Sequence, residues 1–98
     1  GKNFLVKELT VNSKSSISLQ RHHHRSEHWM ITQGKPKITI NKNKFFKKEN
    51  ETVSIPTGAI HRIENYYKKP VKIIEVQTGP ILKESDIIRF SDMYGRIK

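Results

Sequence analysis

Polar and apolar residues trade places at every second position through most of this chain, in runs too short to make a helical stripe. "KPKITINKN" alternates at Ile38 and Ile40 before a turn signal at Asn41 to Asn43, and "KFFKKEN" reads as the second arm of that hairpin. "EHWMITQG" puts Glu27, Trp29 and Ile31 on one strand face, and "ETVSIPTG" pairs Val53 with Ile55 before a Pro-Gly turn. Phe4, Val6, Leu9 and Val11 sit in a polar-interleaved opening segment, while "IHRIENYY" and "VKIIEVQTG" read as two further strands. Only the tail, "ILKESDIIRFSDMYGRIK", could hold a helical turn, capped by Ser85 or Asp86. This gives about eight short strands with turn signals roughly every 8–12 residues, the pattern of an all-β sandwich or barrel. With 98 residues there is room for one domain and one modest core. That core is expected to draw on Trp29, Ile38, Ile40, Phe45, Phe46, Val53 and Ile55. Closing the sheet removes exposed edges and creates an interior, where a polar side chain needs a partner to offset its lost hydration.

The interior is where "QRHHHRSEHW", Gln20 to Trp29, becomes informative: it holds four of the chain's 5 histidines. In an extended chain Gln20, His22 and His24 share one face, opposite Ile17 and Leu19. Glu27 follows past an expected turn and can face the same space from the next strand. The remaining histidine, His61, begins a strand after the turn in "PTGAIHRIEN". Neutral imidazoles with a carboxylate and an amide oxygen suit a divalent transition metal and leave positions open for substrate. The plainer reading is a hydrogen-bonded polar cluster without metal. Absence of cysteine removes disulfides and thiolate zinc sites and fits a reducing, cytoplasmic setting.

The net charge of +10 permits nucleic-acid, anionic-substrate or plain solvation readings. The lysines are scattered and no nucleic-acid reading module accompanies them, so no nucleic acid is expected as partner. No apolar run approaches the ~20 residues that span a bilayer, and Gly1 to Leu9 lacks a signal-peptide pattern, so no membrane is expected either. The strand-like start suggests that residues 1–98 are a single domain from a longer chain.

Pro56-x-Gly58-x-x-His61-x-x-x-Asn65 resembles the second cupin motif. Gln20-x-His22-x4-Glu27-x6-Gly34 resembles the first, with glutamine in place of its first histidine. Phosphomannose isomerases of the cupin superfamily carry such a Gln-x-His pair. "SLQRHHHRSEHW", "IPTGAIHRIEN", "IIEVQTG" and "DIIRFSDMYGR" together look like the C-terminal domain of type II mannose-6-phosphate isomerases, over residues 4–96. Four departures stand out. Lys14 and Asn50 replace the glycines that open the two motifs, in turns where asparagine tolerates left-handed geometry. Arg21 stands where methionine is frequent, and Met93 where arginine is common.

The resemblance implies a cupin double-stranded β-helix, or jelly-roll barrel, with a short C-terminal extension. It implies a divalent metal on Gln20, His22, Glu27 and His61, zinc first, with manganese, cobalt, nickel or iron compatible. It implies interconversion of mannose 6-phosphate and fructose 6-phosphate through an enediolate that the metal stabilises. It also implies a homodimer and a covalently linked nucleotidyltransferase domain. The alternative is a non-catalytic sugar-phosphate-binding or dimerising module.

Other residues carry narrower expectations. His24 is a candidate fifth ligand or acid/base group, and Glu75, in an apolar strand, a candidate base. Arg25, Arg89, Lys35 and Arg96 are candidate phosphate clamps, since arginine above all grips phosphate through two parallel hydrogen bonds. Asn65 is expected to satisfy backbone groups at a strand end. His23, Arg62 and Glu64 should face outward, and His28 should be structural.

Overall fold

The alternation resolves into β-strands throughout the computed structural model, which describes residues 3–80 and 87–89. In chain order they are β1 (Asn3–Val11), β2 (Ser15–Ser16), β3 (Gln20–His22), β4 (Ser26–Gln33), β5 (Lys37–Ile40), β6 (Asn43–Phe46), β7 (Thr52–Ile55), β8 (His61–Asn65), β9 (Val71–Gly79) and β10 (Ile87–Arg89). They form two sheets. One is four-stranded, in the order β1-β9-β4-β7; the other runs β10-β3-β8-β5-β6, with β2 also on β8. Every pairing is antiparallel, and the β5–β6 hairpin closes where expected, at Ile40 opposite Asn43.

The inner rows of the sheets change character along the strands, and this positions everything that follows. On β1 the inward row is Lys7, Leu9, Val11; on β9 it is Gln77, Glu75, Ile73, Val71; on β4, Glu27, Trp29, Ile31. Register stacks like with like: Val11 opposite Val71, Leu9 opposite Ile73, then Lys7 opposite Glu75 and Glu27 opposite Gln77. One end of the interior is therefore apolar and the other polar. The apolar end holds Val11, Ile31, Ile38, Ile63, Val71 and Ile73, sealed from solvent, with Trp29 above them. Burying side chains of this size is worth roughly 1.5–3 kcal/mol each.

Asn65 closes the apolar end. Its amide nitrogen donates to the carbonyls of Val11, Asn12 and Lys69, and its oxygen accepts from the Tyr67 amide. The expected strand-end role holds, and it ties three segments of chain. Lys14 and Asn50 both take left-handed backbone, with φ of 56° and 70°, so the two motifs keep the turn that glycine would make there.

Two expectations change. Phe46 is 50% exposed, because Phe45 opposite Ile38 claims the inward position of β6 and its neighbour must point out. In the tail, Ile87–Arg89 is a strand on β3 and not a helical turn; β-branched Ile87 and Ile88 suit a strand, and β3 offers them an edge. The proposed caps Ser85 and Asp86 lie outside the described residues.

Candidate metal centre

Three side chains converge at the polar end. His22 closes β3, Glu27 begins β4 and His61 begins β8, all three buried. One ligand atom from each lies within 4.8 Å of the others. The two motifs are joined by backbone: the Gly58 amide donates to the His22 carbonyl at 2.9 Å, and Gly58 supplies the φ of 83° that the turn needs. Trp29 packs its indole edge-on to His61, 5.7 Å between ring centres, so the centre lies between the sheets.

Two of these three side chains are aimed by a further contact. His61 Nδ1 lies 3.1 Å from the Ala59 carbonyl, which fixes the proton there and leaves the Nε2 lone pair for the centre. Trp29 Nε1 donates to Glu27 Oε1 at 2.9 Å, which leaves Oε2 facing His22 Nε2 at 3.0 Å. Burial by itself would raise the Glu27 carboxyl. The His22 hydrogen bond, the His61 and His22 charges and the Trp29 donor outweigh it and hold Glu27 at about 2. His61 is lowered, by burial first, against the pull of Glu27. An ionised carboxylate and neutral imidazoles are the forms that ligate a divalent cation.

A cation is already present in this arrangement. Arg25 is buried, with Nε donating to Glu27 Oε2 at 3.1 Å and Nη2 lying 3.0 Å from His22 Nε2. The guanidinium only donates, so it meets His22 in the tautomer whose Nε2 carries the lone pair, whereas the hydrogen bond to Glu27 uses the tautomer with the proton on Nε2. In the first of these the proton sits on Nδ1, which is buried with no hydrogen-bond partner among the described residues. That tautomer also sets a nitrogen lone pair 3.0 Å from a carboxylate oxygen, a contact that repels unless a positive charge bridges the two. The donor set therefore fits a metal ion.

These residues line a cavity of about 210 Å³ together with Lys7, Leu9, Ile17, Gln20, Trp29 and Glu75. Glu75 is buried, accepts from Gln77 Nε2 at 2.9 Å, and is raised by burial first and by the Glu27 charge second. Gln20 lines the same space, and its amide lies 3.4 Å from Ser18 Oγ. A larger hollow, about 670 Å³, opens among Gly34, Lys35, Lys48, Tyr67 and their neighbours. Those residues lie beyond the opposite strand ends, and no set of metal-ligating side chains converges there among the described residues.

The other expected site residues scatter. The chain bends at His23 and His24, which breaks the alternation, so His24 is exposed beside a separate hollow with Ser26, Thr57 and Thr78. Lys35 lies eight residues beyond Glu27, roughly 25 Å along a strand, and lines the far hollow. Arg25 reaches the ligands themselves. The backbone register sets Arg89 opposite Gln20, and Arg96 lies outside the described residues. Lys7 and the aiming role of Trp29 escaped the reading of the sequence. The signal for Lys7 was its parity with Leu9 and Val11. No local signal marks Trp29 as more than core.

Comparison with known proteins finds relatives over nearly the whole of this chain. Alginate biosynthesis protein AlgA of Pseudomonas putida is 48% identical over 96 residues, covering 98% of this chain and 20% of that protein. Mannose-1-phosphate guanylyltransferase ManC of Salmonella typhimurium is 44% identical over 97 residues, covering 99% of this chain and 20% of that one. The chain thus spans about a fifth of these relatives' length. Among solved structures, the cupin domain of Schizosaccharomyces pombe Cnp3 superposes with a TM-score of 0.75 at 21% identity, covering 78% of this chain and 56% of that one. An oxalate decarboxylase gives 0.78 at 16%, covering 89% and 24%. These likenesses establish the cupin fold. Residues 1–92 match the family described as "Mannose-6-phosphate isomerase C-terminal", and with relatives this similar over nearly its whole length, the chain belongs to that family.

Proposed function

We propose that this chain interconverts mannose 6-phosphate and fructose 6-phosphate with the help of a divalent metal ion. The observation that carries the reading is the convergence of His22, Glu27 and His61, the last two aimed by Trp29 and the Ala59 carbonyl, in a cavity that also holds the raised carboxyl of Glu75. The metal's contribution is Lewis acidity toward the adjacent oxygens of the sugar.

His22, Glu27 and His61 hold the ion, with the Gln20 amide as fourth ligand. Glu75 moves the proton between C2 and C1. It belongs to the cavity wall, Gln77 fixes one of its oxygens, and its raised carboxyl moves toward the working pH of an acid/base group. His24, outside the cavity, takes no part. Lys7 on the wall and Arg89 beside Gln20 in register are the cations we assign to the phosphate. Phosphate binding, remote from the reacting carbons, positions them. The names and lengths of the relatives support a further reading: this is the isomerase unit of a longer polypeptide that also carries a nucleotidyltransferase.

The test is a coupled isomerase assay on the chain loaded with zinc, cobalt or manganese, alone and within its full-length protein. Turnover that a chelator abolishes and metal restores is the expected result. Tight sugar-phosphate binding with no conversion in the loaded full-length protein would replace isomerase with a binding module.

A further inference from the structure

We propose that Arg25 is a built-in counter-cation of the metal centre, seated on the same two ligand atoms that a divalent ion takes, so that metal entry must displace its guanidinium. This rests on the metal reading above and goes beyond it, because it makes metal occupancy a competition with a side chain of the protein.

Three observations carry it. The first is the seat itself: Nε on Glu27 Oε2 and Nη2 on His22 Nε2, with both acceptors turned toward the centre. The second is burial. Arg25 is 4% exposed, and charged side chains are almost never that buried unless paired. Among the described residues its hydrogen-bond partners are Glu27 and His22. The third is what the seat costs. With Arg25 Nη2 taking up the lone pair that would face a metal, the His22 proton falls on Nδ1, which has no acceptor among the described residues. An arginine placed to orient Glu27 from behind would leave Oε2 and Nε2 open. This one bridges them.

The arrangement has a physical rationale. Glu27 is ionised and buried, and without a neighbouring cation its charge would oppose folding of the metal-free chain. Arg25 supplies that cation from two residues away. Gly79 lets the bend that carries it approach, because a Cβ there would meet the His24 carbonyl and the Arg25 backbone. The guanidinium holds this seat through its charge and its fixed fork of donors. It leaves only when a stronger cation competes for the same lone pairs.

The experiment is calorimetric titration of the metal-free chain with cobalt(II), wild type against Arg25→Gln and Arg25→Lys, with thermal melts of each before and after loading. Arg25→Gln should bind cobalt roughly tenfold or more tighter, since a positive charge no longer competes at contact distance. Its metal-free form should melt lower than wild type, and the gap should close on loading. Arg25→Lys keeps the charge without the fork and should fall between. Cobalt binding to Arg25→Gln that equals or falls below wild type overturns the proposal and leaves the metal site standing. No cobalt uptake by wild type or either variant overturns both. Should the glutamine variant fail to fold, side-chain NMR of wild type decides. The Arg25 Nε–H signal should shift and lose its exchange protection on zinc saturation, and an unchanged signal rejects displacement.

Discussion

Trp29 shows how much one side chain can do at once. It is 1% exposed, fills the space above the isoleucines, and spends its only polar atom on Glu27 Oε1. Trp29→Phe keeps an aromatic ring in the core and removes the donor. Cobalt affinity should fall about 10–100-fold, as when other partners of metal ligands are lost. The melt should show a loss of about 1–3 kcal/mol. Unchanged cobalt binding would mean that Glu27 is aimed by something else. His61 makes a second expectation, in pH. Its folded pKa lies below the unfolded value of about 6.5, so below that pH the unfolded chain binds more protons and the metal-free protein loses stability. Glu27, held at about 2, adds a further loss as pH drops beneath the unfolded carboxylate value near 4.3. Glu75, raised, works the other way: the stability of its protonated form is lost as pH rises through its folded pKa. Denaturation midpoints of the metal-free chain should fall from neutral pH toward about 5. His61→Gln should flatten that slope; an unaltered slope would reject the assignment.

Among the elements, the β5–β6 hairpin separates inward from outward in adjacent residues. Ile38 is sealed in the core and Phe46 stands half in solvent. Ile38→Ala should cost about 2–5 kcal/mol through lost burial and a cavity. Phe46→Ser should change stability by no more than ~0.5 kcal/mol despite removing a larger ring. Both are read from denaturant midpoints, and a costly Phe46→Ser would show that this face is covered. β8 is the element on which fold and site meet. Its first residue, His61, belongs to the candidate metal centre and its last, Asn65, closes the apolar end. Within β8 only Ile63 belongs wholly to the core.

At the scale of the molecule, charge and chemistry are kept apart. Lys35, Lys48, Lys68 and Lys69 line the hollow at the end of the barrel away from the centre. These four lysines lie away from the cavity, where Lys7 and Arg25 are the cations among the described residues. Substitutions in steady-state isomerase kinetics should follow this division. Glu75→Gln should lower kcat by roughly 10²–10⁴-fold, the usual size of a general-base loss, with little change in KM. Lys35→Ala should leave both constants within about twofold, since its side chain is a barrel's length away. A large rise in KM for Lys35→Ala would mean that phosphate reaches the far hollow.

The periodicity of two determined the strands, their faces and the β5–β6 turn, because alternation is a local property that any strand displays. The spacing within Gln20 to Glu27, and from Pro56 to His61, determined which residue types could meet, since turns and strand parity are also local. Parity stopped working where the chain bends at His23 and His24, which carries His24 out to solvent and away from Gln20 and His22. Tertiary structure alone decided that Glu75 and Lys7, far apart in sequence, face each other across β9 and β1 at the polar end of one interior. It decided that Lys35 lies at the opposite end. It also decided that the arginine two residues from Glu27 turns inward onto the ligands. Which of several scattered cations reaches a buried carboxylate depends on the register of distant strands, and no run of neighbouring residues encodes it.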